Sequence, residues 1–536
     1  MVRFGQGRRG GHRLNWSGLA FVAAVAMAVT ACGTGQTTTT ATIKQLTWGL
    51  PSTPATLFAP TNFSAPDSAI MGLIQDNLLV YTGDGKLVPS LAQSWSAPDD
   101  KTYIYNLRSG AKFSDGNAVT AADVIFSLQL QTDAKYGSQE STLFANVDTV
   151  TAAGNKITVK LKQPDSLWKW LPTHMGFYIY EQKDVTANLA SYGTPQHPPI
   201  GSGPYMVKEF VSDSHITLVR NPNFWGTKPI FETIVFQIIP DDNTRLLAMQ
   251  RGDIQGAWNP PPAAFDQWSA AATISNMPAY IWRGLTLDMQ DPPFDDIHVR
   301  RALYYATDRV SIAQGITAGK AKASTALDDP ALFSGILPDA TVTQGYQAIA
   351  TFPFDITKAK AELAQSKVPN GFNVTLNVPM GSARANAISQ AIKQTWAQIG
   401  VNLKLNVMPG GPRFQVILDH GPHLGVQVIG NLPDVPDATE LLWLYFKGDQ
   451  AVKNGNNSSN LKDTQIDSLI QQALTVTDPT KAATLDLQIQ QLASQQVPII
   501  PILWENNQVA IKKGWTVGPI NAFSWSHTFV ESIHTS

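Results

Sequence analysis

The chain has 536 residues, a formal charge of −2, fourteen tryptophans and a single cysteine. That length exceeds one hydrophobic core and calls for two or more domains. One cysteine excludes a disulfide framework or a cysteine zinc site, and the mild acidity without a basic patch argues against a nucleic-acid partner.

In chain order, residues 1–18 carry Arg3, Arg8, Arg9 and Arg13 and no acid, and an apolar run from Leu19 to Val29 follows. A basic start, a short apolar stretch and small residues at its end form the pattern of a secretory signal. The run is about half of the ~20 residues that cross a bilayer. Val29-Thr30-Ala31-Cys32 resembles the bacterial lipobox, which implies a diacylglycerol thioether on Cys32 as the new N-terminus. Two acyl chains anchor stably where one does not, so the expected location is the extracytoplasmic face of the cell membrane. Residues 32–44, rich in Gly and Thr, read as a flexible tether. Loss of residues 1–31 removes four arginines and no acid, shifting the formal charge from −2 to −6.

The first half reads as short alternating strands, "TYIYNLR", "NKITVKLK", "SHITLVR" and "ETIVFQII", separated by turns. Within it "TAADVIFSLQLQ" opens a helix with Thr120 and Asp123 in capping-box spacing. In the second half, "DDIHVRRALYYATDRVSIA" reads as one helix with Val299, Leu303, Ala306 and Val310 inward. "FDITKAKAELAQSK" follows as a helix capped by Asp355. "FNVTLNV" alternates as a strand, and the next helix puts Ile388, Ile392, Trp396 and Ile399 on one face before Gly400. "VNLKLNV" alternates again, so strand, helix and strand form a βαβ unit with parallel strands. The fold class is α/β.

Several blocks then resemble one family in its own order. "LVPSLAQSWSAPDDKTYIYNLRSGAKFSDGNAVTAADVIFSL" (87–128), a second block over 200–254 and "PPFDDIHVRRALYYATDRVSI" (292–312) are similar to the extracellular solute-binding proteins of peptide and nickel ABC transporters. The resemblance implies a two-lobed, periplasmic-binding-protein-like clamp that closes on its ligand, with an extra subdomain inserted in the first lobe. On it, lobe I spans 45–284 with the insert at about 81–199, lobe II spans 285–498, and 499–536 returns to lobe I. Two crossings, near Arg283–Leu287 and Pro498–Leu503, would form the hinge. The implied partners are a small-molecule or short-peptide ligand, an ABC permease with its ATPase, and the membrane through the lipid anchor. The protein is expected to be a monomer that needs no cofactor.

Candidate ligand contacts lie near the crossings and on loops facing the cleft. Trp258 and Asn259 in "GDIQGAWNPPP" offer a stacking face and an amide, with a core role for Trp258 as the alternative. Arg283 and Arg384 suit a ligand carboxylate, bidentately and with charge assistance, with a solvated surface role as the alternative. Trp504 is a further aromatic candidate, and "FWG" at 224–226 reads as packing. In "IGNLPDVPDATELLW", peptide-binding relatives carry an aspartate for the peptide ammonium where this chain has Asn431. Asp434 either substitutes for it or only shapes the turn, while Asp437 and Glu440 cap the following helix.

Enzyme chemistry finds little support: neither H-E-x-x-H nor G-x-S-x-G occurs, and "GITAGKAK" lacks phosphate-loop spacing. His420 and His423 flank Gly-Pro without a third metal ligand. The leading expectation is a lipid-anchored, peptide-capturing component of an ABC importer. The alternatives are the same clamp for a sugar, an opine-like compound or a metal chelate, and, from other classes, a secreted lipoprotein enzyme or a ligand sensor.

Overall fold

A computed structural model describes residues 44–535 apart from 63, 422 and 525–528. The signal segment, the lipobox and Cys32 lie outside the described residues. The local readings of capping and periodicity recur in three dimensions. Thr120 caps the helix Ala121–Thr132 in a full capping box with Asp123. Asp355 caps Ile356–Leu363 by accepting the Lys358 N–H at 2.9 Å. Strand Asn373–Pro379, helix Ala383–Ala397 and strand Asn402–Met408 form the βαβ unit, in parallel register from Asn373 opposite Asn402. Trp396 on that helix is fully buried and donates its indole N–H to Thr307 at 3.0 Å.

One expected helix is broken in two. Ile297–Tyr305 and Arg309–Ile316 are separate, because Asp308 turns back to cap the second by accepting the Ser311 N–H at 3.0 Å. The break rotates Val310 outward, to 55 % exposure, while Val299, Leu303 and Ala306 remain in the core.

An eleven-stranded mixed sheet runs through both halves. Its order is Asn402–Met408, Asn373–Pro379, Val426–Asn431, Ala272–Leu287, Ile499–Lys512, Gly256–Trp258, Gln45–Leu50, Thr233–Ile238, His215–Arg220 and Tyr205–Val211, with Lys322–Ala323 added beside Ile499–Lys512. The two long antiparallel strands, Ala272–Leu287 and Ile499–Lys512, join the halves. Their pairing runs from Ala272 opposite Lys512 to Met277 opposite Asn507, slips, resumes at Ile281 opposite Glu505, shifts once more between Arg283 and Gly284, and ends at Thr286 opposite Ile499. At the slip Tyr280 has φ of +53° and the Ala279 N–H donates to the Asn506 side chain at 3.0 Å. Before it, Met277, Val509 and Ile511 pack with Trp48 in one core. Beyond it, Leu285, Leu287, Ile500, Ile502 and Leu503 pack with Val378 and Trp396 in another.

The packing therefore changes at 278–280 and 506, a few residues from the expected crossings at Arg283–Leu287 and Pro498–Leu503, where the pairing slips a second time between Arg283 and Gly284. Residues 281–284 and 499–505, assigned from sequence to the first lobe, pair with Asn431–Ile429 and with each other; Ile500, Ile502 and Leu503 pack in the second core, and Trp282, Ile499 and Trp504 in a further core with Leu441 and Tyr445.

Between Leu78 and Ile179 a third core forms around a four-stranded antiparallel sheet, in the order Ala92–Ser96, Thr102–Leu107, Lys156–Leu161, Val147–Ala153. Trp168 is buried there and donates to the Tyr105 hydroxyl at 3.1 Å. Val435 from the second half packs into this same core. The Ser166 N–H donates to the Leu474 carbonyl at 2.7 Å, so this subdomain also touches the second half away from the long strands. Trp225 of the "FWG" stretch packs as expected, donating to Asp76 at 2.8 Å with the Arg108 guanidinium 4.3 Å from its ring. After Lys512 the chain stays with the first core through Trp515, Phe529, Val530 and Ile533.

Candidate binding cleft

In open α/β sheets, ligands sit outside the carboxyl ends of parallel strands, where loops diverge and helix N-termini point inward. Each half has such an edge. In the second, Asn373–Pro379 lies between Asn402–Met408 and Val426–Asn431, all parallel. Their carboxyl ends lead to Arg384, to Pro409 and to the stretch Leu432–Glu440. In the first, Gln45–Leu50 is parallel to Thr233–Ile238 and to Gly256–Trp258, which leads to Asn259.

The second edge carries an arginine pair around one carboxylate. Arg283 donates its Nε–H to Glu505 Oε1, and Arg384 Nε lies 2.8 Å from Glu505 Oε2. The first contact is an aligned hydrogen bond, and the second is an ion pair whose N–H is not aligned. Register explains the first: Glu505 stands opposite Ile281, hence diagonal to Arg283, within reach of long side chains. Arg384 arrives in the first turn of Ala383–Ala397, whose N-cap Ser382 accepts the Ala385 N–H at 3.3 Å. Glu505 is 6 % exposed, whereas the Arg283 and Arg384 side chains are 24 % and 30 % exposed. Gly430, opposite Arg283, leaves room for the guanidinium: a Cβ there would lie 2.4 Å from Arg283 Nη1.

One strand away, carboxyl groups gather. Asn431 stands opposite Trp282, and its side-chain oxygen accepts the Leu432 N–H at 3.0 Å. Glu440 Oε2 accepts the N–H groups of Asp434 and Val435 at 2.7 and 3.1 Å. Glu440, expected as a helix cap, thus instead ties down the turn before the helix, while Asp437 caps Ala438–Phe446 through the Thr439 N–H at 3.1 Å. Burial pushes the Asp434 carboxyl up to about 6. Burial and then the neighbouring Asp434 hold Glu440 well above its usual range. Glu140, from the subdomain, is raised by burial and by the same Asp434. These three carboxyls have no ion pair with a basic side chain among the described residues.

The remaining sequence candidates have structural partners. Trp258 is 7 % exposed, with its ring 4.5 Å from Trp48 and 5.0 Å from Phe529, which is the core alternative rather than an open stacking face. Asn259, at φ of +48°, spends its amide on the Gln508 N–H at 2.8 Å and the Asn507 side chain at 3.0 Å. It ties Gly256–Trp258 to the long strand beside the slip, on the side of the first core. Trp504 is 8 % exposed, donates to the Leu327 carbonyl at 3.2 Å and meets Tyr346 edge-on at 6.0 Å, so it belongs to the second-half core. His420 and His423 turn to different partners, the Asn457 carbonyl at 3.2 Å and Asp291 at 2.6 Å. The geometry brings Arg283, Arg384, Asn431 and Asp434 to one edge and adds Glu505 and Glu140, which sequence reasoning missed, and Glu440, which it read only as a helix cap. The available signals were a lone acid in the apolar run "PIIPILWENN" and another in "ATELLWLYF".

The profile described as "Bacterial extracellular solute-binding proteins, family 5 Middle" matches residues 86–453. The chain belongs to this family. It is thus a solute-binding protein of the ABC-importer type, not an enzyme. It is similar to the probable di/tripeptide-binding protein 5 of Pseudomonas aeruginosa, 29 % identical over 78 % of this chain and 82 % of the relative. The dipeptide-binding protein of Escherichia coli K12 is 26 % identical, over 84 % and 87 % of the two chains. In fold it resembles the ABC transporter-associated periplasmic binding protein DppA of Helicobacter pylori, solved with the peptide STSA. That match has a TM-score of 0.80 at 20 % identity, over 92 % of this solute-binding protein and 98 % of the other.

Proposed function

We propose that this solute-binding protein captures short peptides between its two halves and delivers them to a membrane permease while tethered by lipid at Cys32. The observation that carries the reading is the pairing of opposite charges along one strand edge. Arg384 follows Asn373–Pro379, and the Asp434–Glu440 turn follows the adjacent parallel strand Val426–Asn431. The two groups thus stand past the ends of adjacent parallel strands, and opposite charges so placed suit the carboxylate and ammonium of a zwitterion. In this reading Asp434, held by Glu440, replaces as ammonium partner the aspartate that Asn431 lacks, and Arg283 with Arg384 take the carboxylate. Asn431 supplies an amide beside them. The slip at 278–280 and 506 is the hinge, since it is where the two joining strands change cores.

Calorimetric titration with trialanine, N-acetyl-trialanine and trialanine amide tests the peptide reading. The free peptide should bind, and each blocked form should bind at least tenfold more weakly. Equal affinity for all three, or none for any peptide, would overturn it. Palmitate labelling that persists in Cys32→Ala would overturn the anchor.

A further inference from the structure

The triad of Arg283, Glu505 and Arg384 has a feature that a simple structural ion pair does not need. Glu505 engages both arginines through Nε, one on each carboxylate oxygen. The terminal Nη groups of both guanidiniums make no hydrogen bond with protein among the described residues. Both side chains keep partial solvent access, while the carboxylate between them is almost fully enclosed. Arg384 also sits in the first turn of a fifteen-residue helix, where the helix dipole disfavours a cation and favours an anion. Its placement there is offset by Glu505 and suits an anion arriving from outside. Arginine forks recognise carboxylates bidentately, so four unused NH2 groups held side by side form a receptive surface for one.

We propose that Glu505 sets the charge selectivity of this subsite. It reduces two guanidiniums to a net charge of +1, which matches a single carboxylate rather than a dianion. This rests on the peptide-receptor reading only in identifying the matched group with a ligand's terminal carboxylate; the subsite itself is testable without peptides. Removing the Glu505 charge loosens the arginines and also adds positive charge, and these act oppositely on the affinity for any one anion. The ratio of affinities for a dianion and a monoanion cancels the loosening and keeps the charge effect.

The test uses the full chain labelled with 15N-arginine, following the Nε–H signals of Arg283 and Arg384 during titration with acetate and with malonate. Glu505→Gln should raise the malonate-to-acetate affinity ratio about tenfold, the effect of one added charge a few ångströms away in a half-solvated site. Arg384→Gln, on a partly exposed side chain, should move the ratio about tenfold the other way and decides the matter if Glu505→Gln does not fold. A ratio that moves less than twofold in the variants would overturn the proposal and leave Glu505 a structural counterion. Failure of either anion to perturb the two arginine signals in the wild type would overturn the subsite. Absence of peptide binding alongside the expected ratios would refute the peptide reading and leave the charge-matching role standing.

Discussion

Asp76→Asn should remove one large component of the pH dependence of stability. Asp76 is 8 % exposed beneath Trp225, whose indole N–H it accepts at 2.8 Å. Burial raises its carboxyl to about 7 from 3.8, and the indole hydrogen bond only partly offsets that cost. The folded-state pKa lies above the unfolded one, so between these values the folded chain holds a proton that the unfolded chain has released. Stability from this group is therefore fully present below about pH 4, falls as pH rises, and levels off above about 7. A shift of about three units at ~1.4 kcal/mol each sets an upper limit of about 4 kcal/mol. Asparagine keeps an oxygen for Trp225 and carries no charge. Urea denaturation of both proteins from pH 4 to 8 should show the variant gaining on the wild type across this window, by about 2–4 kcal/mol at pH 8. A difference that stays constant with pH would refute the reasoning.

Gly430→Ala should push Arg283 off its seat, because the new Cβ would lie 2.4 Å from Nη1. Loss of one charge-assisted contact lowers trialanine affinity about tenfold, while the flexible arginine end yields and the melting temperature stays within about 2 °C; calorimetry showing unchanged affinity would contradict this. Ammonium binding needs an ionised Asp434, so trialanine affinity should rise with pH to about 6 and level above it, and Asp434→Asn should abolish that rise. Asp434→Asn removes the charge that helps raise Glu140, so the Glu140 carboxyl, followed by NMR, should titrate at lower pH in the variant, and an unmoved titration would mean the two groups do not interact. Thr120→Ala removes a capping box and should cost about 1 kcal/mol in urea denaturation, whereas no change would mean that the cap is not used.

What was legible in the sequence is what short-range physics encodes. Thr120 and Asp355 announce helix starts by hydrogen bonds within four residues, and the alternation in "FNVTLNV" and "VNLKLNV" announces paired strands. The place where the joining strands change cores was not legible. Ala272–Leu287 keeps apolar residues on both sides of the slip, and only the partners differ. The break at Asp308 was missed because helical spacing continues across it, and a capping aspartate inside a periodic run looks like a surface residue. Glu505 shows the limit most clearly. Its acid sits beside Trp504 in an apolar strand, and nothing local marks it as the partner of arginines 222 and 121 residues earlier. Trp258 and Trp504 failed as open stacking faces for a related reason: an aromatic beside a turn suits a core and a cleft equally, and tertiary packing decides.

The central claim is that a short peptide occupies the edge between Arg384 and Asp434. Native mass spectrometry of the gently purified protein tests it most directly, with any released ligand fragmented and sequenced. The account predicts a ladder of co-purified peptides a few residues long, each with a free ammonium and a free carboxylate. A single co-purified compound that is not a peptide, such as an opine-like acid or a sugar, would contradict it.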